Sequence, residues 1–196
     1  MKIGRVTQSV VELAFVLVVA APAAAQQSSA AGASGAAPVG AVGLTYSILR
    51  SDAETSAVGV GLDISRRVAR SSNGVDVQVA VDIGVNHFAA STDFDATTQT
   101  SFMAGVRFAG RGNASAVPFA QLLAGGIHCC GATDPAVAFG AGVDVPIAQK
   151  KANLRLQVDV PVAYYQAGID ADEVPYDAGR TVGVRVNIGV SIPFGR

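Results

Sequence analysis

The feature that most constrains the fold is an alternation of apolar and polar residues with a period of two. It is strictest near the C-terminus, where every second residue from Val182 to Phe194 is apolar and the positions between are mostly polar or small. Successive side chains of a β-strand point to opposite faces, whereas one face of a helix repeats every three to four residues. This segment is therefore predicted to be a strand with one apolar face.

The same alternation recurs in segments of about ten residues, the length of a tilted strand that crosses a bilayer. The predicted strands are residues 40–49, 57–68, 75–87, 100–109, 117–127, 136–146, 154–164 and 182–194. The register of 117–127 is left open, since one choice turns Gln121 towards lipid and the other exposes Pro118. Pro161 and Pro193 each remove a ladder hydrogen bond unless a bulge or a rim accommodates them.

The N-terminal residues predict export from the cytoplasm. Lys2 and Arg5 precede an apolar core, Leu13 to Ala21, which Pro22 and a run of alanines end. Such a core is too short to cross about 30 Å of hydrocarbon as a helix. We interpret residues 1–25 as a cleaved signal peptide; a short anchor that stays attached is the alternative.

The rest of the chain divides into two parts. Residues 26–38 are Ala, Gly, Ser and Gln without periodicity, which predicts a flexible, low-complexity periplasmic segment. Residues 39–196 are predicted to form one domain. Half of the whole chain is apolar and only 15% is charged, yet no apolar run after the signal is long enough for a spanning helix.

A closed barrel is the other way for a chain to satisfy its backbone hydrogen bonds in lipid. The expected fold is therefore all-β, an eight-stranded antiparallel up-and-down transmembrane β-barrel in the bacterial outer membrane. Its connections should alternate between short basic turns and longer or more acidic loops. The second set, expected to be extracellular, comprises residues 51–54, 91–98, 129–134 and 168–179.

Charged residues collect on the predicted inner face of the strands. They are Asp63, Arg67, Asp76, Asp82, Arg107, Asp144, Arg155, Asp159 and Arg185. Charges in a lumen of low dielectric must be paired or solvated, and an eight-stranded barrel has room for little more than its own side chains. A polar plug is predicted. The alternative is a narrow ion path, because many inward positions are glycine.

The last strands resemble a known family. Phe139-Gly140-Ala141-Gly142-Val143-Asp144-Val145, Leu154-Arg155-Leu156-Gln157-Val158-Asp159 and the ending Asn187 to Phe194 look like the final three strands of the small OmpA-type and opacity-type outer-membrane β-barrel proteins. The resemblance covers about residues 39–196. It implies recognition of the last strand, through Phe194, by the barrel-assembly machinery. In the family the aromatic residue is usually last, whereas Gly195 and Arg196 follow it here.

Few residues suggest catalysis. His87 and His128 are the two histidines, and Ser91 with Asp93 near His87 is the one local set that could serve a hydrolase. Both histidines are interpreted as interfacial residues near the outer strand ends, and no catalytic residue is predicted.

Metal and cofactor sites are not expected either. His128-Cys129-Cys130 could bind a soft metal, or the two cysteines could form a vicinal disulfide, but two small loop residues are the preferred interpretation. The acidic stretch Asp170 to Asp177 lacks the spacing of an EF-hand. Gly140-Ala141-Gly142 is not followed by a helix, as a phosphate loop requires, and no basic patch is present for nucleic acid.

The sequence thus predicts a monomeric, non-enzymatic structural or surface protein of the outer membrane. Its expected partners are outer-membrane lipid and lipopolysaccharide, contacted partly through acidic extracellular loops. A small porin-like channel and a lipid A-modifying enzyme are the alternatives, and a soluble lipocalin-like barrel is disfavoured because the small and charged residues share the face opposite the large aliphatic ones.

Overall fold

The computed structural model describes residues 38–51, 56–90, 96–110, 115–147, 149, 151–169 and 175–195. The predicted signal peptide and residues 26–37 lie outside these ranges. So do residues 52–54, 91–95 and 170–174 of three predicted extracellular loops.

Almost all of the described chain is β-strand. The strands are β1 (Gly40–Ser51), β2 (Ser56–Arg70), β3 (Asp76–Phe88), β4 (Thr97–Ala109), β5 (Val117–Cys129), β6 (Ala132–Ile147), β7 (Ala152–Tyr165), β8 (Gly168–Ile169), β9 (Pro175–Tyr176) and β10 (Gly179–Phe194). Eight of them close a barrel in the order β1-β10-β7-β6-β5-β4-β3-β2, while β8 and β9 form a separate small hairpin. All pairs are antiparallel, which confirms the predicted fold class and each predicted strand.

The barrel closes between its first and last strands. The register sets Gly43 opposite Ser191 and Ile48 opposite Val186. At the end of this seam Gly40 is opposite Phe194, and a Cβ on Gly40 would lie 2.5 Å from the Phe194 ring. The backbone N–H of Val39 donates to the carbonyls of Phe194 and Gly195, so the residues that flank both strands are also bonded.

The outer face of the barrel is apolar. Every barrel strand contributes a large side chain that is 40% to 65% exposed; the set is Leu44, Leu62, Ile83, Phe102, Leu122, Phe139, Leu156 and Ile188. We call these residues and their outward neighbours the apolar belt. In the part of the chain that the structure describes, no helix is long and apolar enough to cross a membrane.

The open register of β5 is settled by its inner face. Gln121 is buried at 5% exposure, whereas Leu122 is 45% exposed on the outer face. Gln121 lies inside because Arg107 and Asp159 there bond its amide oxygen and nitrogen, respectively. A polar side chain with both groups satisfied costs far less inside the barrel than it would in hydrocarbon.

Pro161 and Pro193 both lie in strands, at positions where the backbone hydrogen bond that proline cannot donate is not required. Pro161 faces inward on β7, and the pairing of β7 with β10 skips Val160 and Pro161 before it resumes at Asp159. The interruption fits the missing N–H of proline. Pro193 lies one residue from the end of β10, opposite Ala41. A shift of register in the pairing of β2 with β3 lies elsewhere, between Arg67 and Ala69.

The connections lie alternately at two ends. The turn end joins β2 to β3, β4 to β5 and β6 to β7, and the loop end joins β1 to β2, β3 to β4, β5 to β6 and β7 to β10. The prediction that the whole stretch Cys129 to Asp134 is a loop is wrong. Cys129 pairs directly with Ala132, and Cys130 and Gly131 form a two-residue turn with φ of 56° and 79°. Positive φ at both positions is the type I′ geometry that matches the twist of a hairpin.

Candidate functional site

The lumen is crossed by buried ion pairs centred on Asp63 of β2. Arg107 of β4 donates to both carboxylate oxygens of Asp63, with Nη2 2.5 Å from Oδ2 and Nη1 3.0 Å from Oδ1. Arg155 of β7 donates to the same carboxylate through Nη1. All three side chains are at most 4% exposed, so one carboxylate joins three strands inside the barrel.

The two arginines have further partners. Arg155 makes a bidentate pair with Asp144 of β6, with both N–O distances 2.8 Å. Phe119 of β5 presents its ring to both guanidinium groups, 4.6 Å from Arg107 and 5.0 Å from Arg155. Cation–π contacts of this kind gain strength when they are desolvated, so Phe119 adds to the stabilisation of the two buried cations.

A second group of bonds surrounds Asp159 of β7, which is fully buried. Its Oδ2 accepts from Arg185 at 3.0 and 3.2 Å, and from Gln157 and Asn187, both at 2.8 Å. Arg185 also donates to Asp82 of β3 at 2.9 Å. The several donors to this carboxylate explain how its charge is tolerated at a fully buried position.

Gln121 connects the two groups. Its Oε1 accepts from Arg107 at 2.6 and 3.0 Å, and its Nε2 donates to Asp159 at 3.0 Å. The bonds therefore run without a break from Asp144 on β6 to Asp82 on β3. We call this set the ion network; it comprises Asp63, Asp82, Arg107, Gln121, Asp144, Arg155, Gln157, Asp159, Arg185 and Asn187.

The remaining predicted inward charges form a separate pair near the turn end. Arg67 lies 3.4 Å from Asp76, and the rim residue Arg70 lies 2.6 Å from the same carboxylate. These side chains are 16% to 37% exposed, so water screens their interaction. Every charged residue that the alternation assigned to the lumen is thus found in an ion pair.

The inward glycines hold space for this network. A Cβ on Gly140 would lie 2.0 Å from Oδ1 of Asp159, one on Gly84 3.2 Å from Arg185, and one on Gly43 3.3 Å from Arg155. The sequence argument for an ion path was that inward glycines leave the lumen unfilled. At these three positions they do not. The long charged side chains occupy the room that the missing Cβ atoms provide.

An apolar cluster fills another part of the interior. It consists of Met103, Leu123 and Ile127 with the small residues Ala80, Ala136 and Ala138, and each of them is less than 9% exposed. The lumen is therefore occupied by two kinds of side chains, ionic and apolar. Phe119, Leu123 and Gln121 of β5 are the contributors that the open register of that strand concealed, although their two-residue spacing is visible in the sequence.

The histidines lie on the outer face at the loop end. His87 Nδ1 is 3.4 Å from the Thr98 hydroxyl, and His128 Nδ1 is 2.9 Å from the Thr133 hydroxyl. Ser91 and Asp93 lie outside the described residues. A nucleophile activated by a histidine also needs a group that orients the imidazole. Within the described ranges, neither imidazole is bonded to a carboxylate.

The cysteines lie at the β5–β6 turn as free thiols, with their sulfur atoms 2.9 Å apart. His128 precedes Cys129 on β5, so their side chains point to opposite faces of the strand and do not converge on one ion. Among the described residues no group of three potential metal ligands is found. Of the acidic stretch 170–177, Asp177 is described and exposed.

Comparison with known proteins gives structural matches alone. Neither a protein-family model nor a curated protein matches the chain. Among solved structures, Neisserial surface protein A matches 79% of this chain and 96% of its own, with a TM-score of 0.56 and 12% identity. The outer-membrane enzyme PagL matches 78% and 99%, with a TM-score of 0.54 and 10% identity. The outer-membrane protein OprG from Pseudomonas aeruginosa matches 82% and 98%, with a TM-score of 0.50 and 10% identity.

These likenesses establish the class of fold. The chain is a closed eight-stranded antiparallel β-barrel of the type found in small outer-membrane proteins. That fold is the one implied by the resemblance to OmpA-type and opacity-type proteins, but membership of that family stays a prediction. Since the matched proteins include a surface protein and an enzyme, the shared fold does not determine activity.

Proposed function

We propose that the protein is a monomeric, non-enzymatic structural or surface barrel of the bacterial outer membrane with a lumen closed by its own side chains. The observation that carries the proposal is the contrast between the apolar outer face and the charged inner face of the barrel. The apolar belt surrounds the outside of the strands, and the ion network is buried inside. A soluble barrel would need the reverse arrangement, and apolar exposure of this extent is expected where lipid covers it.

The proposed location makes a depth-dependent prediction. Val81→Arg, in the middle of the apolar belt on β3, should cost about 2–4 kcal/mol of the free energy of unfolding in lipid vesicles, because it places a cation near the bilayer centre. Thr98→Arg, outward-facing at the loop end, should cost about 0–1 kcal/mol, because its charge reaches the interface. The chain has no tryptophan, so unfolding is followed by circular dichroism and by electrophoretic mobility. Equal costs would contradict the assignment of the belt to lipid.

Localisation is tested by fractionating the membranes of cells that produce the full chain. We expect the protein in the outer-membrane fraction, with a migration on gels that changes on heating, because a closed barrel resists unfolding by detergent. Recovery of the folded protein in the soluble fraction would overturn the proposal.

A channel is disfavoured because the ion network and the apolar cluster around Leu123 occupy the lumen. Purified protein in planar bilayers should therefore produce no stable conductance steps, and a porin of known conductance serves as the positive control. Reproducible steps that disappear when the protein is omitted would favour the channel alternative.

A lipid A-modifying activity is disfavoured, because among the described residues no carboxylate is bonded to His87 or His128 to orient the imidazole. Mass spectrometry of lipid A should give the same species from a deletion strain and from its parent. A species that is lost on deletion and restored by the intact gene, but not by a His128→Ala variant, would establish the enzyme instead.

The partners proposed for this barrel are lipid, lipopolysaccharide and the barrel-assembly machinery. His128 and Arg180 are exposed polar residues near the loop end, at the level where the proposed membrane location puts the lipid headgroups. Phe194 ends the closing strand and is 42% exposed, which leaves its ring available to an assembly factor. Phe194→Ala should reduce the amount assembled in cells more than it reduces the stability of the folded barrel.

A further inference from the structure

We infer that Cys129 and Cys130 form a redox-active dithiol at the loop end, which a disulfide-bearing oxidant converts reversibly to a vicinal disulfide. The inference goes beyond the proposed function and does not depend on the membrane. It starts from the position of the pair in the tight β5–β6 turn, where the two sulfur atoms lie 2.9 Å apart as free thiols. A disulfide bond is about 2.05 Å long, so the two sulfur atoms need to approach each other by about 0.9 Å to form one.

The two thiols differ in access. Cys130 is exposed at the first central position of the turn, whereas Cys129 is half-buried at the end of β5. The Thr97 hydroxyl lies 3.9 Å from the Cys129 sulfur and 3.7 Å from the Cys130 sulfur, so both thiols face the same polar neighbour on β4. Exchange with an external disulfide therefore begins at Cys130, and Cys129 is placed to complete it.

The exchange proceeds in two balanced steps. The Cys130 thiolate attacks one sulfur of the external disulfide; that S–S bond breaks, and half of the oxidant leaves as a thiolate. The Cys129 thiolate then attacks the Cys130 sulfur, the mixed disulfide breaks, and the second half leaves. The protons of Cys129 and Cys130 pass to the two departing thiolates, so the pair is oxidised by two electrons and the oxidant is reduced to two thiols.

The product should be easily reduced. Adjacent residues on a trans peptide have Cα atoms about 3.8 Å apart, below the range of about 4.4–6.8 Å that ordinary disulfides adopt. Deviation of this kind makes a disulfide more reducible, and exposed or strained disulfides are the labile ones. The bond is therefore suited to a reversible change in the turn and not to permanent stapling of the barrel.

The test uses the full chain folded in detergent, reduced, freed of reductant and then exposed to oxidised glutathione. Intact mass should decrease by two hydrogen atoms without a glutathione adduct or a covalent dimer, and dithiothreitol should reverse the change. Cys129→Ser should instead retain glutathione on Cys130, because the second thiol that would release it is missing. Cys130→Asn, which suits the left-handed backbone at that position, should react with glutathione more slowly than Cys129→Ser does.

Heat-modifiable migration of each variant confirms that the barrel is folded. A stable glutathione adduct on the unsubstituted protein would overturn the inference, because Cys129 would then have failed to displace it. Covalent dimers as the main product would overturn it as well, as would an unsubstituted protein that stays reduced under conditions in which Cys129→Ser is modified.

Discussion

Replacing Asp63 with alanine is expected to lower the free energy of unfolding by about 3–5 kcal/mol, because it leaves buried charges without their partner. Asp63 is the carboxylate that Arg107 and Arg155 share, and both arginine side chains are almost fully buried. Arg155 retains Asp144, but Arg107 is left with the neutral amide of Gln121 and the ring of Phe119. Arg107 therefore contributes the larger part of the loss.

The matched control is Asp76→Ala. Asp76 also lies between two arginines, Arg67 and Arg70, but these side chains are 21% and 37% exposed. Water can solvate them when the carboxylate is removed, so we expect a cost of about 0–1 kcal/mol. Both variants are unfolded and refolded with urea in short-chain lipid vesicles, and the two directions are compared by circular dichroism to confirm that they coincide. If the two substitutions cost the same, the ion network does not stabilise the barrel in the way that its burial indicates.

Removal of β10 is expected to abolish the folded barrel. A chain that ends at Asp177 or Ala178 loses the pairing partner of both β1 and β7. In the proposed membrane location the two exposed edges then present unpaired N–H and C=O groups to hydrocarbon, at several kcal/mol for each group. The deletion also removes Arg185 and Asn187, which donate to Asp159. Heat-modifiable migration and protection from added protease should both disappear.

Deletion of residues 195 and 196 alone is the control. Among the described residues it removes the backbone bond from the Val39 N–H to the Gly195 carbonyl, and it leaves the pairing of β1 with β10 in place. This shorter chain should still insert and resist protease. If the chain without β10 also inserts and resists protease, the eighth strand does not close the barrel and the architecture is wrong.

The sequence by itself determined the strands and the face that each side chain occupies. The period of two is a local property, because side chains alternate along any extended strand whatever its neighbours are. It therefore placed Val186 and Ile188 outside and Arg185 and Asn187 inside, as found. The same property brought Asp63, Arg107 and Arg155 to the lumen, but it could not show which of them would touch.

The partners inside the lumen were decided by the tertiary structure. Asp63 lies 44 residues from Arg107 and 92 residues from Arg155 along the chain, and they meet because closure and the register of the strands bring them to one level. Closure also decided the register of 117–127, because it brings Arg107 and Asp159 to the inner face, where they bond the side chain of Gln121. Closure also decided the role of the inward glycines. Whether the space left by a missing Cβ stays empty or is filled depends on which side chain a neighbouring or facing strand places there. The two-residue turn at Cys130 and Gly131 was not predicted from the sequence. The length of a hairpin turn depends on how far its two strands continue to pair, and that pairing is a property of the tertiary structure.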